Sequence, residues 1–219
     1  MLIDGIKAVV FDFDGTLAKL NIDFSLMREA VLELTTGYNV PIEGLNKLFV
    51  LEMIEAGREL ISIRNPGNET GYAQRANRLI SAIEIEAAKR GELVNGVRQM
   101  LADLNVRNIK AGVVTRNCQE AVREIFPDIE SFCQTVITRE FTSNVKPHPE
   151  HLIMALQKLS SASEHSVMVG DHPMDIIVGK KIGAYTVGVL TGYSGADVLR
   201  EAGADLIIDS AAEITDHFP

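Results

Sequence analysis

The chain has 219 residues, a formal net charge of −9 and 46% hydrophobic residues, which is enough for one large domain or a domain with an insertion and excludes a disordered chain. Acidic residues outnumber basic ones by 30 to 21 and no basic run occurs, so nucleic acid is excluded as the main partner. No apolar run approaches the ~20 residues that cross a bilayer, so we expect no membrane association.

The N-terminus lacks the basic region and apolar core of a secretion signal, so we expect a cytoplasmic protein. Two cysteines, Cys118 and Cys133, form no disulfide framework and fit a reducing compartment. We expect the protein to act as a monomer or a homodimer.

The first predicted element is a strand over residues 8–11, which Asp12, Asp14 and Gly15 follow directly. Its unbroken apolar residues, some of them β-branched or aromatic, are typical of a strand buried on both faces of a parallel sheet. In an extended chain Asp12 and Asp14 would point to the same side and repel each other. This predicts a divalent metal between them, or else a nucleophile beside an acid/base; a solvated acidic turn is the third interpretation.

Between about Asp23 and Arg90 the apolar residues recur at helical spacing, which predicts helices only. Turn-rich segments at 36–41 and 65–68 separate these helices. The block interrupts an α/β pattern, so we interpret it as an inserted domain over residues 21–91, within a domain formed by residues 1–20 and 92–219.

Strands and helices alternate again from Gly91 onward, which predicts a parallel sheet covered on both faces. The further strands are predicted at residues 111–114, 135–137, 166–169, 186–189 and 206–208.

Polar side chains follow three of these strands, at the edge where open α/β sheets bind ligands. Two pairs of acids, a hydroxyl and an ammonium at one edge suit a magnesium ion and a phosphoryl group. The pairs are Asp12 with Asp14 and Asp171 with Asp175. Asp12 and Asp171 are the expected metal ligands, while Asp175 orients a metal-bound water or Lys146. Thr115 and Lys146 would donate to the phosphoryl oxygens.

Four motifs in this order resemble those of the haloacid dehalogenase-like hydrolase superfamily. They are residues 12–17, residues 113–117, Lys146-Pro147, and Gly170-Asp171 with Asp175. The resemblance covers nearly the whole chain and is closest to phosphoglycolate-phosphatase-like members with a helical cap after the first strand. It implies an α/β fold with a Rossmann-like parallel sheet core and a small all-helical cap domain.

The resemblance also implies a Mg²⁺-dependent phosphatase that acts on a small phosphorylated metabolite. Asp12 would form an aspartyl-phosphate, and Asp14 would protonate the leaving oxygen and then activate water. Together with these two acids, the catalytic set holds Thr115 and Lys146. The expected substrate-binding residues are Thr115, Arg116, Asn117 and Lys146, and the expected metal ligands are Asp12, Asp14, Asp171 and Asp175.

Two other functions stay open on the same motifs: a sugar phosphomutase of the β-phosphoglucomutase type and a non-catalytic protein that binds a phosphometabolite. The sequence departs from the phosphoglycolate-phosphatase pattern at Lys19, Leu20 and His172. These departures weaken the expectation that phosphoglycolate itself is the substrate. The cap is expected to determine substrate specificity, because one of its arginines could bind a carboxylate or a second phosphate of the substrate. The candidates are Arg64, Arg75 and Arg78.

Overall fold

A computed structural model describes residues 3–219 of the chain. The residues divide into two compact units. One comprises the described residues up to Leu20 together with Arg90–Pro219, and the other is Asn21–Lys89.

The larger unit is built on a six-stranded parallel sheet, as the sequence predicts. Its strand order is β5-β4-β1-β6-β7-β8, and a separate antiparallel ribbon pairs β2 with β3. The strands are β1 (Ala8–Phe11), β2 (Ala18–Lys19), β3 (Glu92–Leu93), β4 (Lys110–Val114), β5 (Thr135–Ile137), β6 (Ser166–Gly170), β7 (Tyr185–Val189) and β8 (Leu206–Ile208).

Strand β1 lies inside the sheet because β4 and β6 pair with it on its two sides. All four of its residues, from Ala8 to Phe11, have no exposed surface. Successive side chains of a strand point to opposite faces of the sheet. A strand that is apolar throughout therefore needs both faces covered, as they are here. The residues after Phe11 are thereby held at the middle of the sheet's carboxyl edge.

The helices of this unit follow the strands of the sheet. They are α4 (Val97–Val106), α5 (Gln119–Ile125), α6 (Pro149–Leu159), α7 (Pro173–Ile182) and α8 (Ala196–Glu201). Short 3₁₀ turns lie at Ile129–Ser131, Arg139–Phe141, Ser163–His165 and Ala211–His217. Apolar side chains of α6 and α7 pack with Ala8, Val10 and Met168 in one buried cluster, which fixes the loops at the ends of β1 and β6.

The smaller unit is all-helical, as the sequence predicts. It consists of α1 (Phe24–Thr36), a 3₁₀ turn at Leu45–Lys47, α2 (Val50–Arg64) and α3 (Glu69–Ala88). Tyr72 of α3 is fully buried, and its hydroxyl lies 2.8 Å from the Thr35 hydroxyl of α1. Gly57 of α2 lies against the Tyr72 ring, where a Cβ atom would clash, so the packing of α2 on α3 needs glycine there.

The three arginines considered for substrate recognition, Arg64, Arg75 and Arg78, are all exposed on the helical unit. Arg75 lines an open groove with Glu33 and Tyr38 of the same unit. Across the part of the chain that is described, no helix combines the length and apolar character needed to pass through a membrane.

Candidate active site

The loop after β1 places Asp12 and Asp14 at the carboxyl edge of the sheet. The Asp12 N–H still continues the parallel ladder, donating to the Val169 carbonyl at 2.8 Å. The chain then turns, since Gly15 has a φ of +84° and the N–H groups of Leu17 and Ala18 both donate to the Phe13 carbonyl. A Cβ on Gly15 would overlap the Asp171 carboxylate, so glycine gives both the turn and the close approach of that acid.

Asp171 and Asp175 come from the end of β6 and the first turn of α7. The Asp175 carboxylate accepts the His172 N–H at 3.1 Å, and the His172 side chain accepts from the Met174 N–H, which together form a capping box. His172 therefore has a structural role as the N-cap of α7. Asp175 is held with its carboxylate against Gly170, where a Cβ would clash.

Three of the predicted acids meet at one point. Oxygen atoms of Asp12, Asp171 and Asp175 all lie within 4.8 Å of one another, and all three residues are buried. The Lys146 ammonium, which is only 2% exposed as a residue, donates to Asp12 at 2.5 Å and to Asp175 at 2.7 Å. The structure thus brings together four residues from three segments of the chain, which are the end of β1, the loop before α6 and the stretch from the end of β6 to the first turn of α7.

The electrostatics of this group favour an additional cation. Burial raises the pKa of Asp12 to about 6, although the Lys146 charge opposes the shift. Burial, and then the carboxylates of Asp12 and Asp175, raise the pKa of Asp171 to about 8. Burial alone would lower the pKa of Lys146, but the two carboxylates outweigh it and raise that pKa. Three oxygen-donating acids that repel one another fit a hard divalent cation such as Mg²⁺.

The Asp14 carboxylate is not one of the three acids whose oxygens lie within 4.8 Å of one another among the described residues. One of its oxygens accepts the Leu20 N–H at 3.0 Å, and the other accepts the Tyr193 hydroxyl at 3.1 Å. An extended chain would point Asp12 and Asp14 to the same side, but the strand ends at Phe11 and the chain bends at Phe13, so the two carboxylates have different hydrogen-bond partners. The two acids therefore occupy different surroundings.

The loop after β4 supplies polar groups to the same edge of the sheet. Thr115 is fully buried, its N–H donates to the Ile137 carbonyl at 3.0 Å, and its hydroxyl donates to Asn117 at 2.9 Å. Among the residues that the structure describes, two buried side-chain polar atoms lack a hydrogen-bond partner, and they are Asn117 Nδ2 and Thr16 Oγ1. Both belong to loops at the carboxyl edge, so a ligand bound there would satisfy them.

Arg116, expected to bind substrate, contacts the Lys146 loop and α7 through its guanidinium. Its guanidinium donates to the Lys146 carbonyl at 2.5 Å and lies 3.6 Å from the Met174 sulfur. Lys146 itself lies in the loop that precedes α6, because that helix begins at Pro149. Arg116 thus braces the backbone of the Lys146 loop.

Sequence reasoning missed the loop that follows β7. The Thr191 hydroxyl donates to the Gly15 carbonyl at 2.6 Å, and the Tyr193 N–H donates to Asp171 at 2.8 Å. A Cβ on Gly192 would overlap the Asp171 carboxylate. The signal available in the sequence was the position of this loop, since it follows a parallel strand of the same sheet.

Comparisons with known proteins agree with this geometry. The sequence profile of the haloacid dehalogenase-like hydrolases matches residues 9–189. The pyrophosphatase PpaX of Oceanobacillus iheyensis is 30% identical over 215 residues, which cover 95% of this chain and 95% of that protein.

Two solved structures share the fold. A predicted phosphoglycolate phosphatase from Haemophilus somnus has a TM-score of 0.67 at 19% identity and covers 98% of both chains. The β-phosphoglucomutase of Clostridium difficile has a TM-score of 0.65 at 19% identity, covering 95% of this chain and 93% of that one. Since the family profile extends from β1 to the end of β7, the chain belongs to the haloacid dehalogenase-like hydrolase family.

Proposed function

We propose that this protein is a Mg²⁺-dependent phosphatase that hydrolyses a small phosphorylated metabolite through an aspartyl-phosphate on Asp12. The observation that carries the proposal is the convergence of Asp12, Asp171 and Asp175 with the Lys146 ammonium at the end of β1. Buried acids with raised pKa values beside a buried cation are typical of a catalytic site.

In the first step an oxygen of the Asp12 carboxylate attacks phosphorus. A bond forms between that oxygen and phosphorus, the bond from phosphorus to the leaving oxygen breaks, and Asp14 gives its proton to the leaving alcohol. In the second step Asp14 takes a proton from water as the water oxygen attacks phosphorus. Inorganic phosphate leaves and the Asp12 carboxylate is restored. The separate surroundings of Asp12 and Asp14 support this division of roles.

Asp12 and Asp171 would hold the magnesium ion, with Asp175 orienting a bound water or Lys146. When bound, the ion supplies positive charge that offsets the repulsion between the Asp12 carboxylate and the phosphate dianion. The raised pKa values of Asp12 and Asp171 support this assignment, because burial and then neighbouring carboxylates disfavour the charged forms that a bound cation would favour. We assign Asp14 to proton transfer rather than to direct ligation by its carboxylate.

The phosphoryl oxygens would be bound by the Lys146 ammonium, the Thr115 hydroxyl and the Asn117 amide. The buried and unpaired Asn117 Nδ2 supports this, since a phosphoryl oxygen is an acceptor that could satisfy it. Arg116 would contribute by bracing the carbonyl of Lys146. Donors that are already in place stabilise the charge of the transition state without reorganisation.

The direct test is phosphate release by the purified protein from p-nitrophenyl phosphate and a panel of phosphometabolites. We expect turnover in the presence of Mg²⁺ and its loss in EDTA, with recovery when Mg²⁺ is restored. Full activity in EDTA would contradict the metal assignment. Absence of turnover across the panel, or conversion of a sugar phosphate into its isomer without phosphate release, would contradict the phosphatase proposal.

The panel should contain pyrophosphate as well as phosphoglycolate. Pyrophosphate is a second candidate substrate because a relative named pyrophosphatase PpaX is 30% identical over 95% of the chain. Attack by Asp12 on pyrophosphate would release phosphate from a phosphoanhydride instead of an alcohol from an ester, with the same bond to Asp12 formed. The ratio of kcat/KM values for pyrophosphate and for phosphate monoesters decides between the two substrate classes.

A change of Asp171 to asparagine is expected to stabilise the metal-free protein while it removes the effect of Mg²⁺. A carboxyl whose pKa is raised on folding contributes its full stability at a pH below 3.8, the pKa in the unfolded chain. That stability is lost as the pH rises through the folded-state pKa, which is about 6 for Asp12 and about 8 for Asp171. The stability of the metal-free wild type should therefore fall between pH 5 and pH 8. Asparagine removes one charge and keeps an acceptor for the Tyr193 N–H.

Thermal unfolding at pH 5 and at pH 8, in EDTA and in saturating Mg²⁺, measures this. At pH 8 we expect Mg²⁺ to raise the Tm of the wild type by about 5–10 °C, and D171N in EDTA to exceed the wild type by about 5 °C. The exposed Asp209→Asn is the control and should respond to Mg²⁺ like the wild type. A D171N protein that is less stable than wild type in EDTA would contradict the prediction.

A further inference from the structure

Helix α6 buries one polar side chain among apolar ones. His151 has no exposed surface, and the other buried residues of this helix are Leu152, Ala155, Leu156 and Leu159. A histidine at such a position must find partners for both ring nitrogens, because an unpaired buried polar atom costs about 1–3 kcal/mol.

Both nitrogens of His151 are satisfied by backbone groups that lie beside the active site. Nδ1 accepts the N–H of Lys146 at 3.2 Å, and Nε2 lies 3.0 Å from the carbonyl oxygen of Ile137. The same Ile137 carbonyl accepts the N–H of Thr115 at 3.0 Å. One imidazole therefore connects the backbone of Lys146 to the strand-end carbonyl that fixes Thr115.

The bonding pattern requires a neutral ring with its proton on Nε2. A carbonyl can only accept, so Nε2 must donate to Ile137, and Nδ1 must be unprotonated to accept from Lys146. Burial, and then the nearby Lys146 charge, lower the pKa of His151 to about 4, which keeps the ring neutral near pH 7. In this tautomer Nδ1 accepts a hydrogen bond from Lys146 and Nε2 donates one to Ile137. An apolar side chain could make neither hydrogen bond.

We propose that His151 is a positioning residue of the active site, holding the Lys146 loop in register with Thr115 through the shared carbonyl of Ile137. Lys146 reaches Asp12 and Asp175 at 2.5 and 2.7 Å, so a shift of its backbone moves the ammonium relative to both acids. His151 touches neither substrate nor the reacting atoms. Its kinetic consequence rests on the proposed phosphatase function.

The test compares two substitutions in the same helix. His151→Leu removes both hydrogen bonds and keeps an apolar side chain in the core, while Leu159→Ala makes a cavity at a buried position outside this hydrogen-bond chain. Both are assayed with Mg²⁺ at a temperature where each is fully folded. We expect H151L to lower kcat by about tenfold to a hundredfold, the range seen when partners that orient site residues are removed, and L159A to stay within about twofold of wild type.

Hydrogen exchange at the Lys146 amide gives a second readout that needs no activity. We expect faster exchange at this amide in H151L and unchanged exchange in L159A, relative to the global stability of each protein. His151→Gln, whose amide can both accept and donate, should recover part of kcat and part of the protection.

The outcomes separate this inference from the proposed function. Equal kinetic loss in H151L and L159A at equal loss of Tm, or unchanged Lys146 exchange in H151L, would overturn the positioning role. An inactive wild type would instead reject the phosphatase function and with it the kinetic consequence, and the exchange data would still decide whether His151 holds the Lys146 loop.

Discussion

Replacement of Asp12 by asparagine is expected to abolish phosphate release, with kcat reduced by about 10⁴-fold or more. Asparagine has nearly the shape of aspartate and keeps an oxygen that can accept from the Lys146 ammonium, which donates to Asp12 at 2.5 Å in the wild type. It lacks the carboxylate that attacks phosphorus. Since the change also removes one charge from a buried group of acids, we expect a folded protein.

Phosphate release from p-nitrophenyl phosphate in saturating Mg²⁺ measures the loss. A second measurement is covalent labelling with a radioactive phosphate ester, which should mark wild type with an acyl-phosphate that hydroxylamine removes and should leave D12N unmarked. Asp128→Asn is the matched control, because that carboxylate is half exposed and pairs with Arg98 away from the three-acid group. Turnover by D12N near the wild-type level would reject Asp12 as the nucleophile.

The second large effect is expected from Lys146→Met, which should destabilise the metal-free protein by about 3–5 kcal/mol. Methionine keeps the bulk of the side chain and removes the ammonium that contacts Asp12 and Asp175. The three buried acids would then lack the charge that now offsets two of them. The same change should lower activity strongly, since it also removes a donor for the phosphoryl group.

Thermal unfolding in EDTA at pH 7 tests the stability effect, with a fall in Tm of about 10 °C expected for a protein of this size. Lys180→Met is the matched control: Lys180 also pairs with an acid, Asp205, but its side chain is 41% exposed. A pair of this kind contributes about 0–1 kcal/mol, so K180M should shift Tm by at most a few degrees. Equal losses in the two variants would contradict the view that the buried acids depend on Lys146.

The sheet is predictable from the sequence because its strands are recognisable as short apolar runs. The run from Ala8 to Phe11 is apolar throughout. A strand that is buried on both faces has no polar residues at alternate positions, so such a run indicates a buried strand. Asp12, Thr115 and Asp171 each follow such a strand directly. Since the strands are parallel, their carboxyl ends lie at one edge of the sheet, and the topology brings Asp12, Thr115 and Asp171 to that edge.

The orientation of individual side chains was not predictable in the same way. Asp12 and Asp14 are two residues apart, yet the Asp14 carboxylate accepts from the N–H of Leu20 and the hydroxyl of Tyr193, whereas Asp12 accepts from Lys146. Tyr193 is 179 positions from Asp14 in the chain. Nothing in the local pattern around Thr191-Gly192-Tyr193 identifies such a partner.

The amino-acid sequence by itself therefore determined the placement of the polar groups along the chain: Asp12, Thr115 and Asp171 directly follow buried strands, and Lys146 precedes a helix. Periodicity and burial are local properties, and they can be read residue by residue. Only the tertiary structure decided that His151 joins Lys146 to Ile137, and that Tyr193 joins Asp14 to Asp171. Those hydrogen bonds depend on distances of about 3 Å between atoms of residues that lie 5 to 179 positions apart in the chain, and tertiary packing sets such distances.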